Sequence, residues 1–176
     1  MAIRDCLPGV AFPSELGWIA IVHSNNKIQH VRFGYPSELA VIHSLQESAC
    51  DSKLEWNQPT GDEIRWVAQV QAYASGKKID LSKLPVDEST MTAFQTKVRK
   101  LCRNIRAGGV KTYGELAAAA GSPGAARAVG SVMSRNPTPL IVPCHRVVGS
   151  NGPGGFSSAD GLMMKRRLLS LEGFKL

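Results

Sequence analysis

A cysteine followed directly by a histidine, within Ile141-Val142-Pro143-Cys144-His145-Arg146-Val147-Val148, sets a nucleophile beside a base in an otherwise apolar stretch. A thiol attacks only as thiolate, and a neighbouring base or cation can generate that form. The base in turn needs a third group to orient its imidazole. Glu172 is one of the few acids in this half of the chain that can serve. The plain alternatives are a small core cysteine, since free cysteine is commonly buried, and a carboxylate at an exposed helix end. A buried thiol with its own base points to covalent chemistry at sulfur.

The flanking segments look built to position such a pair. Behind it comes Gly149-Ser150-Asn151-Gly152-Pro153-Gly154-Gly155-Phe156-Ser157-Ser158, a glycine-rich loop that lets backbone approach a ligand closely. Ahead of it, Asn136-Pro137-Thr138-Pro139 is a rigid turn. Earlier still, Gly124-Ala125-Ala126-Arg127-Ala128-Val129-Gly130-Ser131 reads as a helix of small residues around one arginine. Against another helix this would be ordinary close packing. Against DNA it would offer little base-edge hydrogen bonding, and would suit a narrow minor groove and binding without sequence preference.

With Ser122 as N-cap and Pro123 at the first helical position, that helix is expected over 123–134. A shorter helix opens at Tyr113-Gly114-Glu115-Leu116-Ala117 and ends at Gly121, so the two form a helix-turn-helix candidate. Before them, Phe94, Val98, Leu101 and Ile105 share a helical face, while Lys97, Arg99, Lys100 and Arg103 mostly lie off it. Gly108-Gly109 is expected to stop that helix. A last helix runs from Gly161-Leu162 through Lys165-Arg166-Arg167 toward Glu172-Gly173.

The first half reads differently. Gly17-Trp18-Ile19-Ala20-Ile21-Val22-His23 and Ile28-Gln29-His30-Val31-Arg32-Phe33, joined by Ser24-Asn25-Asn26-Lys27, predict a hairpin in a small antiparallel sheet. Helices are expected over 36–48 and 63–75, the latter burying Trp66, Val67, Val70 and Tyr73, with a polar loop between them. Residues 76–89, which include Pro85, read as an extended connection. The expected architecture is α/β of the α+β kind. A supporting sheet-and-helix domain spans 1–85, and a mostly helical, winged-helix-like domain carrying the helix-turn-helix spans 90–176.

Bulk properties exclude some function classes. The 176 residues suffice for one domain or two small ones, and 43% hydrophobic with 20% charged residues is ordinary for a soluble protein. No apolar run approaches the roughly 20 residues of a membrane span, and the N-terminus lacks a signal-peptide stretch. An intracellular protein with no membrane partner is expected, nuclear in a eukaryote and cytoplasmic in a prokaryote. Cys6, Cys50, Cys102 and Cys144 show no C-x-x-C spacing and are expected as free thiols. A zinc site of Cys6 with His23 or His30 would lack the short paired spacing usual for structural zinc, so no metal is expected. The net charge of +7, from 21 basic and 14 acidic residues, favours a polyanionic partner; a merely solvated basic surface is the plain alternative, and charge alone does not decide between them. Residues 97–111 carry Lys97, Arg99, Lys100, Arg103, Arg106 and Lys111 with no acid.

The second half resembles the O6-alkylguanine-DNA alkyltransferases, DNA repair proteins that inactivate themselves. The resemblance rests on motifs in order: Phe94-Gln95; Val110-Lys111-Thr112-Tyr113-Gly114-Glu115-Leu116-Ala117; Ala125-Ala126-Arg127-Ala128-Val129-Gly130; Asn136-Pro137; Val142-Pro143-Cys144-His145-Arg146-Val147-Val148-Gly149; and Gly161-Leu162 with Lys165, Leu168-Leu169 and Glu172-Gly173. It covers roughly 90–176, whereas the first half shares only the family's general plan. The resemblance implies that Cys144 accepts an alkyl group from guanine O6 in duplex DNA, with thymine O4 as a second donor, once per molecule. It implies that His145 deprotonates Cys144 through a water and that Glu172 orients the histidine. Asn136 would be the hinge between recognition helix and site. Tyr113 would protonate the leaving guanine and help rotate the nucleotide, and Lys165 would join this catalytic group. Arg127 would fill the gap left by the flipped base, since an alkyl carbon stacked in a duplex cannot meet a buried sulfur. Gln95, Ser122, Ala125, Ala126, Gly130 and Ser150 would contact DNA along with Arg127 and Tyr113. Met133, Pro139, Val147, Phe156, Ser157 and Ser158 would line the alkyl and base pocket. No cofactor is implied, and the protein would act as a monomer.

One stretch departs from the pattern. Phe156-Ser157-Ser158-Ala159-Asp160-Gly161-Leu162 runs two residues longer after the aromatic than is usual and lacks one glycine, and Phe156 stands where tyrosine is common. This loop governs pocket size, while Asp160 has no assigned role. Two rival classes are a binding protein that recognises alkylated bases without transfer, whose members lack the acceptor cysteine, and a Cys–His hydrolase such as a peptidase. The cysteine counts against the first, and the arginine-bearing small-residue helix against the second.

Overall fold

Two units, Met1–Asp87 and Glu88–Leu176, make up the chain. The computed structural model describes residues 6–46, 53–158 and 160–175; Cys50 and Ala159 lie outside them.

In the first unit β1 (Leu7–Phe12), β2 (Trp18–Ser24) and β3 (Lys27–Tyr35) are followed by α1 (Glu38–Gln46), β4 (Leu54–Trp56) and α2 (Gly61–Ala74). The expected hairpin is β2–β3. Asn25 and Asn26 turn it with φ of 49° and 56°, the left-handed conformation that asparagine tolerates and tight hairpins demand. Ile19, Ala20, Ile21 and Val22 are all buried, so β2 is covered on both faces. This explains its unbroken apolar run and its interior place in the order β3-β2-β1-β4.

The sheet is antiparallel across β3, β2 and β1, but β4 joins β1 in parallel, pairing Leu7 with Leu54 and Gly9 with Trp56. Neither β1 nor β4 was expected. Pro8 and Gly9 disguise β1, since both residues weaken a strand signal, and β4 is too short to show alternation within what read as a polar loop. Gly9 is there for space: a Cβ would meet the Trp56 ring at 2.9 Å. Val41 and Leu45 of α1 pack with Ala20 and Val22 of the sheet. Trp66, Val70 and Tyr73 of α2 are buried as their spacing predicts, whereas Val67 is only half-buried. Residues 76–89 are not simply extended. They contain a 3-10 turn at Leu81–Lys83, bury Leu81 and Leu84, and bond to β3 through Ile28 N–H to Pro85 O and Asp87 N–H to Ile28 O, both 2.9 Å.

The second unit holds α3 (Ala93–Arg103), β5 (Lys111–Thr112), α4 (Tyr113–Ala119), α5 (Ala126–Ser134), β6 (Val147–Val148) and α6 (Gly161–Leu171). Capping boxes, Thr92 with Gln95 and Thr112 with Glu115, start α3 and α4. The first ends at Asn104, ahead of Gly108-Gly109. The arginine helix α5 begins at Ala126 rather than Pro123. Gly124 has φ of +91°, which a right-handed helix excludes, so Ala125 N–H closes a turn onto Ser122 O at 3.0 Å instead. Val98, Leu116, Ala117, Val129, Met133, Val142 and Val147 form the core, with Cys102 and Cys144 within it. The short parallel pair β5–β6, Thr112 opposite Val148, ties the segment after Cys144 to the start of α4. Among the described residues no helix is long and apolar enough to cross a membrane.

Candidate active site

Pro143 ends the incoming turn, and Cys144–Arg146 make one turn of 3-10 helix. Cys144 is 7% exposed and borders a cavity of about 620 Å³ walled by Tyr113, Arg127, Met133, Ser134 and Phe156. Burial pushes its thiol above the ordinary range, while a hydrogen bond from Asn136 and the charges of Lys165 and Arg99 pull it back. The resting group is therefore a thiol that needs a base.

That base is adjacent. His145 is fully buried, and its Nε2 lies 2.9 Å from Glu172 Oε1. A carboxylate accepts, so Nε2 carries the proton and Nδ1 keeps the lone pair. Burial holds the imidazole below its ordinary pKa, against the opposing pull of Glu172, which leaves it neutral and able to take a proton. Arg146 completes the group: Nε reaches Glu172 Oε2 at 2.9 Å, Nη2 reaches Oε1 at 2.7 Å, and Nη1 donates to Ile105 O at 2.6 Å. The paired guanidinium keeps Glu172 ionised in a dry site. Arg146 was legible only as part of the motif; its role depends on α6 returning to it.

A second network reaches Cys144 from behind. Asn136 Nδ2 donates to Val142 O at 2.7 Å. Its Oδ1 accepts from Arg99 Nη1 at 2.7 Å and from Thr138 N–H at 3.2 Å. Arg99 also donates to Thr138 Oγ1 at 2.9 Å and Glu88 Oε1 at 3.2 Å. Arg99 lies off the apolar stripe, as its spacing predicts, yet it is 1% exposed because Asn136, Thr138 and Glu88 enclose it. A charged residue beside an apolar stripe reads as solvated, and only the partners from other segments show otherwise.

Lys165 is equally buried. Its Nζ donates to Val147 O at 2.6 Å and Gly155 O at 3.2 Å, and lies 6.0 Å from the ring centres of both Tyr113 and Phe156. Burial brings it down to about 8, against the opposing pull of Cys144 and Cys102. It binds the glycine-rich loop to β6. Tyr113 fits beneath that loop because of Gly154, with φ of +70°, where a Cβ would meet the Tyr113 ring at 2.8 Å.

Comparison with known proteins shows the family. Residues 93–174 match the family described as 6-O-methylguanine DNA methyltransferase, DNA binding domain. A methylated-DNA–protein-cysteine methyltransferase of Metallosphaera sedula is 44% identical over 101 residues, 57% of this chain and 62% of that protein. One from Mycobacterium leprae is 37% identical over 140 residues, 79% of this chain and 82% of that protein. The chain belongs to the methylated-DNA–protein-cysteine methyltransferase family. Among solved structures, Mycobacterium tuberculosis OGT in complex with DNA superposes with a TM-score of 0.72 at 29% identity, over 94% of this chain and 93% of that one. The O6-methylguanine-DNA methyltransferase of Pyrococcus kodakaraensis gives 0.73 at 28%, over 95% and 99%.

The remaining candidate residues of this family member divide by position. Ala126, Arg127 and Gly130 of α5 line the cavity with Tyr113, and Arg127 is exposed. Ala125 is the residue before α5, and Ser122 and Ser150 sit in turns on either side of the sequence between α4 and the loop. Gln95 closes the capping box of α3, its Oε1 accepting from Thr92 N–H at 2.8 Å. Met133, Phe156 and Ser157 line the cavity, whereas Pro139, Val147 and Ser158 lie outside its lining. Val147 is fully buried in the core, and Ser158 faces Gly161 O at 3.5 Å. Ser131 and Ser134 of α5 line the cavity unforeseen; their spacing one turn apart on the arginine helix was the available signal.

Proposed function

We propose that this protein repairs duplex DNA by direct reversal, moving the alkyl group of an O6-alkylguanine onto Cys144 Sγ in a single irreversible turnover. The observation that carries the assignment is Cys144 at the wall of an open cavity with His145, Glu172 and Arg146 linked behind it. A target base turns out of the stack into the cavity, and the exposed Arg127 on its lining occupies the vacated space. Neutral His145 draws the thiol proton through a water, and Glu172 and Arg146 stabilise the imidazolium that results. Sulfur attacks the alkyl carbon, the carbon–sulfur bond forms and the carbon–O6 bond breaks. The guanine leaves with its electron pair and takes a proton from Tyr113, whose phenol burial holds above its ordinary pKa. No cofactor enters, and a thioether has no route back to thiol, so each molecule reacts once.

The chain acts as a monomer on damaged duplex, with O4-alkylthymine as a secondary donor, inside the compartment that holds the DNA. Among the described residues nothing groups three or more candidate metal ligands. Intact-protein mass spectrometry after mixing with duplex bearing one O6-methylguanine tests the reading. One added methyl, mapped to Cys144 and saturating at one equivalent, supports it. An unchanged mass with lesion binding retained would mean a lesion-recognition protein instead. Cys144→Ser should bind the lesion and gain nothing.

A further inference from the structure

The network behind Asn136 does more than fill the core. An amide side chain can sit in two orientations that differ by exchange of oxygen and nitrogen, and only its partners select one. Here both ends are constrained. Arg99 and the Thr138 N–H can only donate, so Oδ1 must face them. Val142 O can only accept, so Nδ2 must face it. The same Nδ2 side provides the hydrogen bond to Cys144. Thr138 O also accepts from Val142 N–H at 2.9 Å, and Val142 O from Cys144 N–H at 2.8 Å, so the turn carrying the acceptor is laced to the residues that Arg99 grips.

We infer that Arg99 is a positioning residue for alkyl transfer: from the far side of Asn136 it fixes the amide so that N–H, never C=O, faces the Cys144 sulfur. This rests on Cys144 being the acceptor proposed above. A reversed amide would aim its oxygen at the sulfur and repel the thiolate. The planar guanidinium suits the task because three of its nitrogens hold three partners at once: Glu88 through Nε, Asn136 through Nη1 and Thr138 through Nη2. Glu88, one quarter exposed, supplies the counter-charge that lets Arg99 lie 1% exposed.

Several other groups bias the sulfur and set the background. They are Lys165 from α6, Tyr113 from α4 and Cys102 on α3; His145 and Arg146 follow Cys144 along the chain. None of them fixes the Asn136 amide.

The test measures the pH dependence of iodoacetamide alkylation at Cys144, read by peptide mass spectrometry, for wild type, Arg99→Met, Arg99→Lys, Asn136→Ala and the Arg99→Met/Asn136→Ala double variant. Thermal unfolding establishes that each is folded at the assay temperature. Arg99→Met should move the profile toward higher pH by roughly one unit, about tenfold slower alkylation near neutral pH. Asn136→Ala should also move it upward, and the double variant should shift by less than the sum of the two, because both changes remove one shared effect while Arg99→Met also removes the guanidinium charge that itself lowers the Cys144 thiol. Should Arg99→Met not fold, Arg99→Lys carries the test: it keeps the charge but not the fork, and its profile should still shift upward. A lowered unfolding temperature with an unmoved profile, or additive effects in the double variant, would overturn the inference. Methyl transfer from O6-methylguanine duplex is followed in parallel. Wild type that fails to transfer while the profiles shift as expected would remove the proposed function and leave the positioning role standing.

Discussion

His23 with Glu63 and His145 with Glu172 are the same chemical pair in two surroundings. In the first unit His23 Nε2 meets Glu63 Oε1, and the imidazole stands edge-on to Trp66 with ring centres 5.1 Å apart. Glu63 is also the third residue of α2, its Oε2 accepting from Thr60 N–H at 2.7 Å. Burial alone would raise the Glu63 carboxyl, but the Thr60 backbone, His23 and the Thr60 hydroxyl bring it below its ordinary range. That pair secures a helix start to a strand. In the second unit the carboxylate is held by Arg146, and the histidine follows a thiol in sequence on the edge of a cavity. A buried histidine–carboxylate pair is therefore not a site in itself. The nucleophile beside it, the space in front of it and the charge behind it make it one.

The sharpest way to break the comparison is to remove the carboxylate charge in each pair. Glu172→Gln should slow methyl transfer by up to roughly 10²–10⁴-fold, the full worth of the general base His145 that it orients. It should also cost about 3–5 kcal/mol of stability, because Arg146 would be left buried without its counter-charge. Single-turnover transfer and urea unfolding read the two effects; a variant that transfers at the wild-type rate would show that His145 needs no such partner.

The next test uses pH. The neutral form of His145 is the base, and burial places its pKa below the ordinary 6.5. Protonation must therefore begin to abolish transfer only below that value, about tenfold per pH unit on the acid limb. Transfer that already declines from pH 7 downward would mean that Glu172 outweighs burial in the folded protein.

The smallest effect belongs to the first unit. Glu63→Gln should leave the transfer rate unchanged and lower stability by about 1 kcal/mol, the usual worth of a helix cap, seen as a lower urea midpoint. A slowed transfer would show that the two units communicate.

Legibility of the fold in the sequence tracked how local each feature is. The β2–β3 hairpin, the buried face of α2 and the starts of α3 and α4 depend on residues within a few positions of one another, and period and capping chemistry encode them directly. The strand β4 acquires its meaning only from β1, with which it pairs across a segment too long for any local pattern. The start of α5 was misplaced for a finer reason. Ser122-Pro123 is a sound helix opening by residue preference, but the left-handed Gly124 between it and α5 converts it into a separate turn.

The site divides the same way. Cys144 and His145 are adjacent along the chain, so the sequence alone set a nucleophile next to a base, and the resemblance of the motifs around them pointed to the chemistry. Only the tertiary structure decided what completes them. Glu172 reaches His145 across 27 positions, and Arg99 reaches Asn136 across 37. Arg99 looked like surface charge because long cationic side chains prefer water, and Lys165 was marked only by the resemblance. Each is buried here because fixed acceptors from distant segments replace that water, and no spacing along the chain records where such acceptors will stand.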